Sequence, residues 1–324
     1  MIFKCVNKIY RMSDYFDNKP LFTQPKVVQH SSHMIMSGVN PEIKTKYINI
    51  NTAFNNNLND TMVCDDLSYE LDLQENINNI LTCKVESVEL PISMYNISDV
   101  LENNHFKIET IESNAVTNTL IVVVSNGQYT ITELVSAINT IINAGTPSAL
   151  NVSIVNNKIQ IEDTISDTKS YKIYFGVDKN GNTDKYNVKS KLGWLLGFRE
   201  TQYTIADAAT IVAEKLHFIG GPRVVYLVID DFLANGRQNS FQTFLTRSQN
   251  NNNIIAKIVV DKKNYVFGSL MPANAANGLL ISDKRNYNGK NDIRKMKIFL
   301  LDDYGRKVDL NGLDFSFTLK VEHQ

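Results

Sequence analysis

The sequence predicts a mainly β protein: a jelly-roll-like β-sandwich with an inserted small α+β domain and an extended N-terminal arm. Three observations predict it. Short apolar segments with two-residue alternation, bounded by Asn, Asp, Gly and Pro, recur over most of the chain. A sustained helical repeat stands out at residues 130–145. Residues 13–44 show neither period and are interrupted by Pro20, Pro25 and Pro41. The expected divisions are an arm over 1–44, a sandwich over 45–104 and 201–324, and an insertion over 105–200. Removing the insertion leaves roughly 60 residues before it and roughly 120 after it, room for about eight strands.

The elements follow in order. Tyr47-Ile48-Asn49-Ile50 alternates, as does Tyr69-Glu70-Leu71-Asp72-Leu73. Over 81–90, Leu81, Cys83 and Val85 share one face until the phase slips near Ser87, as a β-bulge makes it do. Pro91 then ends the ladder. Residues 105–111 and 119–124 read as strands before an Asn126-Gly127 turn. Thr130 and Glu133 form a capping box, and Ile131, Leu134, Val135, Ile138, Ile141 and Ile142 make one apolar helix face. Gly145 closes that helix. Strands 152–155 and 158–162 are joined by Asn156-Asn157, and 171–175 is another. The apolar run 192–198 completes the insertion, with Trp194, the only tryptophan, read as core. Residues 224–229 are apolar throughout, which predicts burial on both faces. Strands over 254–260, 279–281, 297–301 and 315–321 follow, with turns at Asp303-Tyr304-Gly305 and Asn311-Gly312. The alanines of 207–216 leave a helix open there.

Composition narrows the function. With 33 basic and 34 acidic side chains, a net charge of −1 opposes a protein that wraps nucleic acid. No apolar run approaches the ~18 residues of a membrane span. The first twelve residues mix Lys4, Asn7, Lys8 and Arg11 with apolar ones, unlike a secretory signal, and Met12 serves as a start as well as Met1. Cys5, Cys64 and Cys83 form neither a disulfide framework nor a zinc knuckle, in keeping with an intracellular origin. Glycosylation sequons at Asn59, Asn96 and Asn151 are expected by chance where about one residue in eight is Asn. A surplus of Asn, Ile and Lys is typical of an AT-rich genome.

The titratable residues point to turns. Asp65-Asp66, Asp230-Asp231 and Asp302-Asp303 stand at strand ends, where neighbouring side chains diverge and Asp serves local backbone bonding. His30 and His33 share no helical context with other ligands. Residues 178–184 (Asp178, Asn180, Asn182, Asp184 among them) resemble a calcium loop, but Thr183 and Lys189 stand where Gly and Glu are required, so a solvated hairpin loop is expected. Lys284, Arg285, Lys290, Arg294, Lys295 and Lys297 read as a solvated loop or a protein-docking patch, and 249–253 as a polar loop tip. No catalytic, cofactor-binding or metal-ligating residue is assigned, and no enzyme is expected.

Several segments together carry a resemblance. Residues 46–54 (Lys46 to Phe54) are followed by 85–98, with Leu90-Pro91-Ile92-Ser93-Met94-Tyr95-Asn96 at their centre. Next come Gly127-Gln128-Tyr129-Thr130 with 131–134, then 192–198, then Tyr226-Leu227-Val228-Ile229-Asp230-Asp231. The series ends with 296–305 and 309–317. In this order the chain, from about residue 45 to 324, resembles minor virion proteins of nucleocytoplasmic large DNA viruses (giant viruses). The resemblance implies a jelly-roll minor capsid or penton-associated protein, located in the virion and made in the host cytoplasm. The partners it implies are the major capsid protein and other virion proteins, with several copies or self-association in the shell and no specific nucleic acid. It brings no catalytic residues. The arm and exposed loops would supply individually modest contacts that add up in a shell. A receptor- or glycan-binding module would instead need an aromatic-lined groove around Trp194, and a packaged hydrolase would need convergent acids.

Overall fold

Alternating apolar side chains dictate sheets with one buried face, and the computed structural model of the chain is built from them. It describes residues 42–54, 67–145, 149–184, 186–233, 237–238, 243 and 253–324. Of the sequence readings, residues 1–41 of the arm, Asp65-Asp66, the His30/His33 pair and most of the 249–253 loop lie outside these. Thr45–His323 form one compact unit. Among the described residues no helix is long and apolar enough to cross a membrane.

The chain begins with β1 (Lys44–Asn51) and β2 (Ser68–Pro91). Next come β3 (His105–Glu112), β4 (Ala115–Val123), α1 (Ile131–Ala144), β5 (Leu150–Val155), β6 (Lys158–Asp163) and β7 (Ser170–Tyr174). Then follow α2 (Leu192–Leu196), β8 (Gln202–Ile205), β9 (Thr210–Val212), β10 (Val224–Asp230), β11 (Arg237–Gln238) and β12 (Ile254–Val259). The last strands are β13 (Leu270–Asn274), β14 (Leu280–Ser282), β15 (Arg285–Leu301) and β16 (Ser316–His323). The protein is mainly β, as expected.

The larger sheet runs β1-β16-β2-β15-β10-β12-β14, with β11 on β15 and β13 on β2. Its two edges, through Ile50 of β1 and Leu280 of β14, contribute to one apolar cluster with Val85, Val88, Leu227, Ile258, Met296, Ile298, Phe317 and Leu319. Strands at opposite ends of a sheet share a core only if the sheet curls, which gives the sandwich its two facing halves. Register shifts make the bend. Between Asn286 and Asn291 β15 advances five residues while β2 moves two, from Thr82 to Ile80. Between Ile293 and Lys295 the imbalance reverses, β2 moving five, from Ile77 to Asp72. Such unpaired residues kink a strand. The phase slip near Ser87 is one of these shifts: Thr318 pairs with Ser87 and Leu319 with Val85, skipping Glu86. Cys83, Val85, Val88 and Leu90 are consequently all buried.

Two elements differ from expectation. Residues 69–73 and 81–90 belong to one long strand, β2, and 284–297 is no loop but most of β15. There Ile293 and Met296 face the core while Arg294 and Lys295 are exposed, and the bulges hide that alternation from the sequence. β10 is buried on both faces as expected: Val225, Leu227 and Ile229 enter the main core, while Tyr226 and Val228 join Ile254 and Leu301 on the other side.

A second core has its own elements. Sheet β4-β3-β7-β8 and sheet β5-β6-β9 enclose Phe106, Ile108, Ile159, Ile161, Tyr171, Ile173 and Phe175. Helix α1 lays Leu134, Val135, Ile138 and Ile142 on this core, and Thr130 and Glu133 complete the capping box. Asn156 and Asn157 take φ of 51° and 60°, the left-handed pair a type I′ hairpin needs. The second core runs on to Ala213, past the expected end at residue 200, because β8 pairs with β7 and β9 with β6. Residues 207–216 therefore hold strand β9 and no helix.

The two cores meet, among other places, where the chain enters and leaves the second one. The Asn96 amide, 2% exposed, donates to the carbonyls of Tyr129 (2.7 Å) and Ile219 (2.8 Å) and accepts from the Tyr129 N–H (2.8 Å). It ties the entry to the second core to its exit. Gly221 passes so close that a Cβ there would meet the Asn96 Cα at 3.1 Å. A sequon asparagine bound this way has no free amide for a glycan, and the Asn151 amide donates to Glu162.

Candidate functional site

A cleft of about 240 Å³ opens where the two cores join. One wall is α2. Gly193 lies so tightly on Phe175 that a Cβ would come within 2.2 Å of the ring, which fixes the helix against the second core. Leu192 and Leu196 point into that core, and Trp194, on another face of the turn, is left half-buried and lines the cleft. Trp194 is therefore not the core residue expected from its apolar run. The helix has too few turns to bury every large side chain.

Gly197 ends α2 at φ 103°, where a Cβ would lie 2.2 Å from the Lys215 carbonyl oxygen. This reversal returns Phe198 to the core and lays the Arg199 guanidinium 4.1 Å from the Trp194 ring centroid. Arg199 also donates to the carbonyls of Trp194 and Phe198, both at 3.0 Å, so its position is set three ways. The exit segment forms the rim: the Phe218 N–H donates to the Leu195 carbonyl (2.7 Å), and Leu216 and Phe218 stand 62% and 56% exposed.

The opposite wall is the Asp302–Arg306 turn. Asp302 Oδ1 accepts from the N–H groups of Tyr304 (2.8 Å) and Arg306 (2.9 Å), and Oδ2 accepts from Arg306 Nε (2.7 Å). Arg306 donates in addition to the Leu101 carbonyl, joining this turn to the other side. The Tyr304 hydroxyl reaches the Lys189 carbonyl at 3.3 Å. Asp303 is different: burial pushes its carboxyl above the ordinary range, opposed by the nearby Arg223 charge. Arg223 lies 5.6 Å from the Phe218 ring at the mouth.

Asp302 is saturated by a guanidinium and turn amides, as the turn reading expects. The cleft offers stacked Trp194 and Arg199, exposed apolar rim side chains, and cations over a half-buried carboxyl.

The other candidates resolve locally. In the calcium-like loop, Asp178 Oδ1 accepts from the N–H groups of Asn180 and Asn182, both at 2.9 Å, and Asp184 pairs with Lys191 at 2.8 Å. That is a hairpin loop. Asp163, Asp167 and Asp207 gather their carboxylates, unforeseen in the sequence, yet Asp207 caps the N–H groups of Asp167 and Thr168, Asp163 accepts from Ala208, and Asp167 pairs with Lys169. Asp231 was legible only as a turn residue. Its Oδ1 accepts from the Leu233 N–H (3.2 Å), as the turn reading expects, while Oδ2 meets Arg285 (3.2 Å) and the Tyr287 hydroxyl (2.8 Å) inside the main core.

No protein-family model matches the chain, and a search of curated proteins finds no match. Among solved structures, the chain is similar to the mavirus penton protein, at 11% identity and a TM-score of 0.46, over 88% of this chain and all of that one. It is also similar to a chain of the Sputnik virophage structure solved by cryo-EM, at 13% identity and a TM-score of 0.39, over 88% of this chain and 98% of the other.

Proposed function

We propose that the chain is a structural minor capsid protein of a large icosahedral DNA virus, contributing to shell assembly or cementing capsomers or pentons through protein–protein contacts. One observation carries the reading. The segments that bear the sequence resemblance, far apart in the chain, pack against one another. Thr52 bonds to Asp314 (2.8 Å) and Phe315 (N–H to carbonyl, 3.0 Å), Ser93 to the Leu310 carbonyl (2.6 Å), and Asn96 to Tyr129, while Tyr226 pairs with Leu301. The resemblance thus follows the framework of the fold and not scattered surface. In this reading the partners are the major capsid protein and other copies of the chain, the location is the virion, and synthesis takes place in the host cytoplasm. The curled sheet and the second core serve as a scaffold with two separate surfaces.

The test is quantitative mass spectrometry of purified particles after high-salt and detergent washing. A constant molar ratio to the major capsid protein is expected. Loss with the wash, or absence, overturns the proposal.

The cleft supports a second reading, a receptor- or glycan-binding module, because Trp194 lines a groove instead of the core. Quenching of Trp194 emission by a defined oligosaccharide at millimolar concentration or below would favour it.

A further inference from the structure

We propose that the junction cleft receives residues 55–66 of a second copy of this chain, joining copies head to tail. The inference rests on the shell-component reading, which supplies many copies in contact. The cleft is one end of a longer groove. Leu101 and Pro222 line it and also a smaller cleft that continues to Tyr95, whose ring stacks on Phe267 at 6.0 Å. An extended chain segment fits such a shape, with Leu216 and Phe218 exposed along the rim. The charges select the occupant. With Arg306 committed to Asp302, the groove keeps Lys189, Arg199 and Arg223 against Asp303 and, in the smaller cleft, Asp309, so the positive charge lies at the Trp194 end.

Three long stretches of the chain lie wholly or mostly outside the described residues. Residues 1–41 hold Lys4, Lys8, Arg11, Lys19 and Lys26 against Asp14 and Asp17, and 234–252 hold Arg237 and Arg247 with no acid. Both have the sign of the cleft. Residues 55–66 hold Asp60, Asp65 and Asp66 with no base, together with Leu58, Met62 and Val63. Opposite charge and matching apolar side chains favour this segment alone. A contact between two different surfaces of identical copies closes into rings or extends, as a shell requires.

Sedimentation velocity of the full chain over a concentration series tests it, with emission from Trp194 as the local probe. Reversible self-association that weakens with salt is expected. Arg223→Glu alone, or Asp65→Lys with Asp66→Lys, weakens it about ten-fold, and combining the two sets restores it. A synthetic peptide of residues 55–66 with Ser for Cys64 competes and shifts Trp194 emission. Four results overturn the proposal: a monomer at every concentration, association indifferent to both charge sets, no restoration in the combined variant, or emission that responds to sialyllactose but not to the peptide. Lost self-association in a chain that still fractionates with particles sinks this inference alone. A chain that self-associates but is absent from particles sinks the shell reading instead.

Discussion

Arg285 is the clearest place to test how the main core is held. It lies on β15 opposite Cys83, 1% exposed. Its guanidinium donates to the Ile229 carbonyl (2.9 Å), Asp231 Oδ2 (3.2 Å) and the Asn253 carbonyl (2.7 Å). One cation therefore closes the end of β10 onto the start of β12. Arg285→Met roughly keeps the volume and removes the charge, taking the Arg285 guanidinium away from the Asp231 carboxylate, 4% exposed, and from two carbonyls. Breaking a buried pair from one side costs about 3–5 kcal/mol. For a chain of this size that lowers Tm by roughly 6–10 °C. Asp231→Leu in the same background removes the buried carboxylate and is expected to recover at least about 2 kcal/mol of the loss. Urea unfolding followed by far-UV circular dichroism measures all three proteins. A single variant within about 1 kcal/mol of the parent, or a double variant no better than the single, refutes the reasoning.

Three further outcomes follow. Gly197→Ala places a Cβ 2.2 Å from the Lys215 oxygen at φ 103°; a loss of about 2–3 kcal/mol and a red-shifted, more quenchable Trp194 are expected, and an unchanged urea midpoint counts against the account. Burial pushes the Lys262 ammonium, which donates to the Gly220 carbonyl, down to about 8 from 10.5. The folded state then holds fewer protons between those values, so stability rises with pH across that window. Lys262→Met is expected to be about 1–3 kcal/mol more stable than the parent at pH 7 and to lack that share of the rise, whereas parallel pH profiles contradict the shift. Burial also pushes the Cys83 thiol up to about 12, so peptide mapping after iodoacetamide at pH 8 should find Cys83 unmodified until urea is added; labelling in native buffer contradicts it.

Much of the fold was legible where one short-range rule acts alone. The capping box and the 131–142 stripe define α1 because helix formation is local. The unbroken 224–229 run gave β10 its two buried faces, and the slip near Ser87 gave the bulge. What escaped depends on partners far along the chain. Arg285 reads as one of six cations clustered in a solvated loop or docking patch, and only its pairing with Asp231, fifty-four residues away, shows it as core. β9 is three residues long, and its flanking alanines imitate a helix. Trp194 read as core from composition, since nothing in the sequence says which side chains of the single turn α2 face Phe175. The cleft is harder still, because its walls come from α2, the 213–223 exit segment and the Asp302–Arg306 turn, and no one of these segments is distinctive.

The shell role is tested most directly by crosslinking mass spectrometry on intact particles. The account predicts reproducible lysine crosslinks to the major capsid protein from Lys26 and Lys44 and from exposed lysines of β15 such as Lys295. A chain present in particles but crosslinked to no shell protein contradicts it and leaves the Trp194 cleft as a receptor- or glycan-binding site.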